Sequence, residues 1–88
     1  MGAHAINLDK ILKRVAELLE VSPEEIKGRG RYRKIVEARS LASYWAVREL
    51  GMEGTEVARR LGVTQPAVSQ AVVRGARIVE ERRLGLGE

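Results

Sequence analysis

The chain has 88 residues, a formal net charge of +4 and no cysteine, which limits it to one small domain without disulfides or thiolate metal sites. A hydrophobic share of 44%, mostly Ala, Val, Leu and Ile, beside 32% charged residues points to an all-α fold rather than a disordered chain. Tyr32, Tyr44 and Trp45 are too few aromatics for a single-stranded nucleic-acid platform of stacked rings, and no apolar run approaches membrane-spanning length.

Residues 1–6 carry no pattern and read as a disordered or cloning-derived start; His4, the single histidine, has no ligand partners beside it. Asn7 is the N-cap of a first helix running to about Glu20. Leu8, Ile11, Leu12, Val15, Leu18 and Leu19 recur on it at three- and four-residue steps and make one core-facing stripe. Ser22-Pro23-Glu24-Glu25 opens a second helix. Ser22 is the cap, Pro23 the first helical residue and Glu25 the reciprocal partner of a capping box, with Val21 and Ile26 as a hydrophobic staple. Gly28 and Gly30 stop this helix almost at once.

The run KGRGRYRK, residues 27–34, then reads as a loop. Five of its eight residues are basic (Lys27, Arg29, Arg31, Arg33 and Lys34) and none is acidic. A local positive run of this kind suits a polyanion; the bland alternative is a solvated charged loop. Ile35 to Leu50 is the longest uninterrupted helix, ended by Gly51. Its apolar residues cover more than one stripe, so it reads as a central rod buried on several sides, with Trp45 in the core. Arg39, one turn in from the basic run, either extends the phosphate-facing surface or pairs with a nearby glutamate.

GTEVARRLGVTQPAVSQAVV, residues 54–73, is the stretch around which the chain is organised, and it reads as a helix-turn-helix. Val57, Ala58 and Leu61 form one stripe, and Gly62 supplies the positive φ of the corner. Val63 turns inward, Thr64 caps the next helix, and Pro66 sits in its first turn where a missing N–H loses nothing. Val68, Ala71 and Val72 form the second stripe. Small Ala58 facing the corner lets the two helices meet closely. Thr55 or Gly54 is the cap of the first helix of the motif. The second helix continues to about Arg83, weakened at Gly75, and residues 84–88 read as a frayed tail. The domain therefore spans residues 7–83, with the motif at 54–75.

In such a motif the second helix enters the major groove. Its outward set is Gln65, Ser69, Gln70 and Val73, with Thr64 at the tip. Gln65 or Gln70 would bond adenine through N6 and N7, and Ser69 serves either donor or acceptor. Thr55 is placed to meet a phosphate through its hydroxyl and the free N–H groups behind it. Arg74 joins Lys27, Arg29, Arg31, Arg33, Lys34 and Arg39 as a backbone contact. The partner is double-stranded DNA, bound by a monomer on an asymmetric site; Ile78, Val79 and Leu84 are the set that would support a weak dimer. No cofactor or metal is called for. No histidine constellation, cysteine or phosphate-cradling glycine loop supports catalysis, so the domain is not read as an enzyme. A protein-interaction module is the rival from another class, but it leaves KGRGRYRK unexplained. Structured RNA is a third option. A reducing cytoplasm fits the absence of cysteine.

Taken together, VAELLEVSPEEI, GRYRK followed by ARSLASYWAVREL, and TEVARRLGV with AVSQAV resemble the C-terminal DNA-binding domain of the bacterial replication initiator DnaA, of the Trp-repressor-like helical group. VEARSLASYWAVREL followed by TEVARRLGVTQPAVSQAV is closer still to the C-terminal tail of REP-associated tyrosine transposases of the HUH type. That likeness implies a DNA-targeting domain whose parent's catalytic residues lie outside this chain. The initiator resemblance implies that an arginine of the basic run enters the adjacent minor groove, with Arg31 and Arg33 the matching positions. Thr64-Gln65-Pro66 stands where the initiator carries an Asp-His-Thr run, so the initiator's target sequence does not carry over.

Overall fold

A computed structural model describes residues 7–27 and 32–84; among these it forms five helices and no strand. Helix α1, Leu8–Leu19, starts where Asn7 Oδ1 accepts the Lys10 N–H at 2.9 Å. It buries Leu8, Ile11, Leu12, Val15, Ala16 and Leu19 along one side. Its end is closed by Glu20 in the left-handed region at φ 59°, although Glu20 has a Cβ. Helix α2, Pro23–Ile26, is the four-residue turn expected from its capping box. Ser22 Oγ accepts from the Glu24 and Glu25 N–H groups, and Glu25 Oε1 accepts from the Ser22 N–H at 2.9 Å.

Helix α3, Arg33–Arg48, is the central rod. It begins two residues earlier than its apolar pattern suggests, so Arg33 and Lys34 belong to its first turn and not to the loop. The backbone hydrogen bond from the Val36 N–H to the Tyr32 carbonyl, at 2.9 Å, sets that start. Periodicity missed it because two exposed cations carry no apolar signal. α1 packs on one flank of α3, and the pair α4 (Gly54–Leu61) and α5 (Gln65–Arg82) packs on the other. Trp45, 2% exposed, lies in the shared core with Leu41, Ala42, Ala46, Val57, Leu61 and Val68.

The corner between α4 and α5 has the predicted chemistry. Gly62 sits at φ 74°, ψ 32°, and its N–H donates to the Ala58 carbonyl. The Val63 N–H reaches the same carbonyl at 3.0 Å. Thr64 then caps α5, its Oγ1 accepting from the Ala67 N–H at 3.3 Å. At the head of α4 the cap is Glu53, without a side-chain hydrogen bond, and not Thr55 or Gly54. Gly54 and Thr55 are already helical.

α5 runs unbroken through Gly75, which is not a weak point but the place where α5 crosses α3. A Cβ at Gly75 would lie 2.3 Å from the Ser40 carbonyl oxygen and 2.6 Å from Tyr44 Cβ. Ser40, Ser43 and Ala71 are likewise small and buried, which suits close helix approach. Of the residues expected to support a weak dimer, Ile78 is buried, and Val79 and Leu84 are half-buried against the core cluster. Among the described residues no helix is long and apolar enough to cross a membrane.

Two stability outcomes follow from this crossing. Gly75→Ala is expected to cost on the order of 2 kcal/mol or more in chemical denaturation, because backbone must move to admit the methyl. Ser43 is fully buried and its Oγ has no hydrogen-bond partner among the described residues. Ser43→Ala is therefore expected to raise stability by about 1 kcal/mol in the same measurement, by removing an unsatisfied hydroxyl and improving helix propensity.

Candidate nucleic-acid interface

The charges at the helix N-termini divide the molecule into two kinds of end. A helix N-terminus carries partial positive charge, so an acidic residue in the first turn is favourable there. α1 has Asp9, α2 has Glu24 and Glu25, and α4 has Glu56. α3 and α5 have none. α3 goes further: its first turn holds Arg33 and Lys34, both exposed, and its cap residue Tyr32 makes no side-chain cap bond. Two cations against the positive end of a helix are locally unfavourable. The arrangement is the one an anion would neutralise.

That end of α3 lies beside the outward face of α5. Val36, Arg39 and Ser40 from α3 line one small cleft with Val63 of the turn and Ala67, Gln70, Ala71 and Arg74. Across it Arg74 Nη1 donates to Ser40 Oγ at 3.4 Å, while Ser40 Oγ donates to the Val36 carbonyl at 2.8 Å. Arg74 is thus tethered at the seam of the two helices with the rest of its side chain exposed. At the other end of the motif, Gly54 and Gln65 line a shared notch with Ser69, Val68, Val72 and Val47. The start of α4 is therefore next to the start of α5, with Gly54 against Gln65, and both Thr55 and Gln65 are exposed.

The predicted base-reading residues Thr64, Gln65, Ser69 and Gln70 are all exposed, on the first turns of α5 or its cap. Lys27 is exposed at the residue closing α2. Arg29 and Arg31 lie outside the described residues. Arg39 has a task that neither of its sequence readings foresaw. It is half-buried, and its Nε donates to the Ile26 carbonyl at 3.1 Å, bracing the end of α2 against α3. Desolvation by this burial lowers the pKa of its guanidinium, which stays protonated at neutral pH.

Three further charged groups escaped the sequence reading. Glu56 accepts hydrogen bonds from both Arg59 and Arg60 on the solvent side of α4, the latter at 2.9 Å. The spacing of three and four residues was a visible signal for this. Arg82, at the end of α5, pairs with Glu37 of α3 at 3.2 Å, a contact across 45 residues that no local pattern marks. Arg77 extends the exposed stripe Gln65, Ser69, Val73 by one more four-residue step.

A two-helix motif with a Gly corner, an exposed polar second helix and an adjacent uncompensated positive end defines a helix-turn-helix DNA-binding domain. Residues 8–74 match the family model described as the bacterial dnaA protein helix-turn-helix, and the chain belongs to that family. The family is a DNA-binding, non-catalytic module, and DNA is the partner of this domain. No curated protein and no solved structure matches the chain.

The Glu56 cluster has a pH signature. Its hydrogen bonds from Arg59, then Arg60, hold the Glu56 carboxyl below its ordinary value of 4.5. A depressed folded-state pKa contributes stability above the unfolded value, and that contribution is lost as pH falls through the folded one. Glu56→Gln is expected to lower the melting temperature slightly at pH 7, with the difference from wild type closing below pH 4.5 in parallel thermal melts.

Proposed function

We propose that this domain binds double-stranded DNA sequence-specifically as a monomer, with α5 in the major groove and the head of α3 on the flanking backbone. Thr64, Gln65, Ser69 and Gln70 meet base edges, where each well-made bidentate contact discriminates by roughly 1–3 kcal/mol. Arg33, Lys34, Arg74 and Thr55 meet phosphates, joined by Lys27, Arg29 and Arg31 from the rest of the basic run. Arg31 or Arg33 enters the adjacent minor groove, as the family resemblance implies. Arg39 supports this surface through its brace on α2 and its place in the cleft beside Gln70 and Arg74.

The observation that carries this reading is the cationic first turn of α3. A fold that neutralises the N-termini of α1, α2 and α4 with acids, yet puts two bases at that of α3, is arranged for an external anion. The cleft that joins the following turn of α3 to the polar face of α5 supports the backbone of the duplex as that anion.

For the protein that carries the domain, the wording of VEARSLASYWAVREL and TEVARRLGVTQPAVSQAV supports DNA targeting for a REP-associated transposase. The family match fits a replication-initiator-like protein at least as well. Both readings put the same task on these residues.

The test is a titration of fluorescent duplex at several salt concentrations with wild type and Arg33→Ala/Lys34→Ala. Each neutralised phosphate adds about −0.9 to the log–log salt slope, so the double variant is expected to bind more weakly with a slope shallower by about 2. Indifference of both affinity and slope to the substitutions would overturn the phosphate role. Absence of binding at low salt would overturn duplex recognition and leave the protein-interaction reading.

A further inference from the structure

Two large apolar side chains stand exposed among the described residues: Tyr32, 80%, at the head of α3, and Val73, 67%, in the middle of α5. Val73 has a neighbourhood that points to a ligand. Ser69, Gln70, Arg74 and Arg77 surround it and share one shallow concavity with it on the outer face of α5. Hydrogen-bonding groups flank it on one side and two cations on the other. The other valines of α5, Val68, Val72 and Val79, are buried or half-buried, so Val73 is the one valine of this helix that presents its methyls to a partner on the polar face. It is also stiff: a β-branched side chain in a helix is held to one strongly preferred rotamer, so its methyls present a fixed shape.

The edge of a base pair in the major groove offers one apolar group, the C5-methyl of thymine. We propose that Val73 reads a thymine methyl and is a specificity-determining residue of this domain. The inference rests on the duplex-binding reading above. Arg74 and Arg77, which both follow Val73 on α5, give the charge complementarity that sets this stretch of the helix against a polyanion rather than an apolar protein surface. The location of the thymine follows from helix geometry. Val73 is eight residues beyond Gln65 on the stripe Gln65, Ser69, Val73, Arg77. At about 1.5 Å per residue it stands about 12 Å further along the groove. The thymine it meets is therefore displaced along the groove from the base pair beneath Gln65.

The experiment begins with selection of a duplex from a randomised pool by wild-type domain. Fluorescent copies of the selected duplex, each with one thymine replaced by deoxyuridine, are then titrated with wild type, Val73→Ser and Gln65→Ala. Deoxyuridine keeps every hydrogen-bonding group and lacks only the methyl. Wild type is expected to lose about fourfold in affinity at one thymine, the loss of one buried methyl-sized group. Val73→Ser is expected to bind that thymine and its uracil replacement equally, and Gln65→Ala to retain the methyl effect. Val73 is exposed, so the serine variant keeps the fold, as circular dichroism would verify. A selected duplex with no methyl-sensitive thymine, or a methyl effect undiminished in Val73→Ser, would overturn the role of Val73 and leave duplex recognition standing. Failure of wild type to select any sequence would overturn both.

Discussion

The contact on which the rest of the molecule depends is the crossing of α3 and α5 at Gly75. There the backbone of one helix lies against the backbone of the other, with Ser40 and Tyr44 filling the space that a Cβ would need. Interiors are packed densely enough that a single methyl is felt. The absence of one at Gly75 therefore sets how close, and at what inclination, the recognition helix lies on the central rod. The same approach brings Arg74 to Ser40 and Arg82 to Glu37, so two polar contacts are consequences of one missing side chain.

Function follows from that placement. A recognition helix needs its N-terminal turns clear of the body, yet it must stay rigidly oriented by a core. Val68, Ala71 and Ile78 hold α5 down, while Gln65, Ser69, Gln70 and Val73 remain in solvent. The crossing sets that face beside the head of α3, where two cations oppose the helix dipole. The proposed base-edge contacts of α5 and phosphate contacts of α3 then share one surface, although they come from residues far apart in the chain. Arg39 contributes from beneath. By holding the Ile26 carbonyl it fixes the short α2, on whose far side the basic run begins.

Electrostatics and stability are in tension at this surface, as they often are at binding sites. The first turn of α3 gives up the favourable acid that α1, α2 and α4 possess. Val73 gives up apolar burial available to its neighbours on α5. The fold tolerates both because the core beneath is continuous, running from Leu8 and Ile11 through Trp45 to Leu61 and Val68.

By itself, the sequence determined most features governed by neighbours along the chain, the cap of α4 and the Glu56 pairs excepted. Caps at Asn7, Ser22 and Thr64, the glycine corner at Gly62, the amphipathic stripe of α1 and the helix-turn-helix all depend on residues within one or two turns, and such signals survive in a linear reading. The outward set on α5 was legible for the same reason, since periodicity names the inward set. Only the tertiary structure decided what depends on two distant segments meeting. Gly75 reads locally as a helix breaker and is instead the contact point of the two main helices. Arg33 and Lys34 read as loop and are helical, because exposed cations leave no periodic trace. Arg39 reads as a phosphate contact or the partner of a glutamate, and its hydrogen bond to the Ile26 carbonyl adds a brace that no side-chain pattern reveals. For Gly75 and Arg39 the physical reason is shared, since steric closeness and long-range pairing exist only once the helices have been placed against one another, whereas for Arg33 and Lys34 it is the lack of any apolar period on exposed residues.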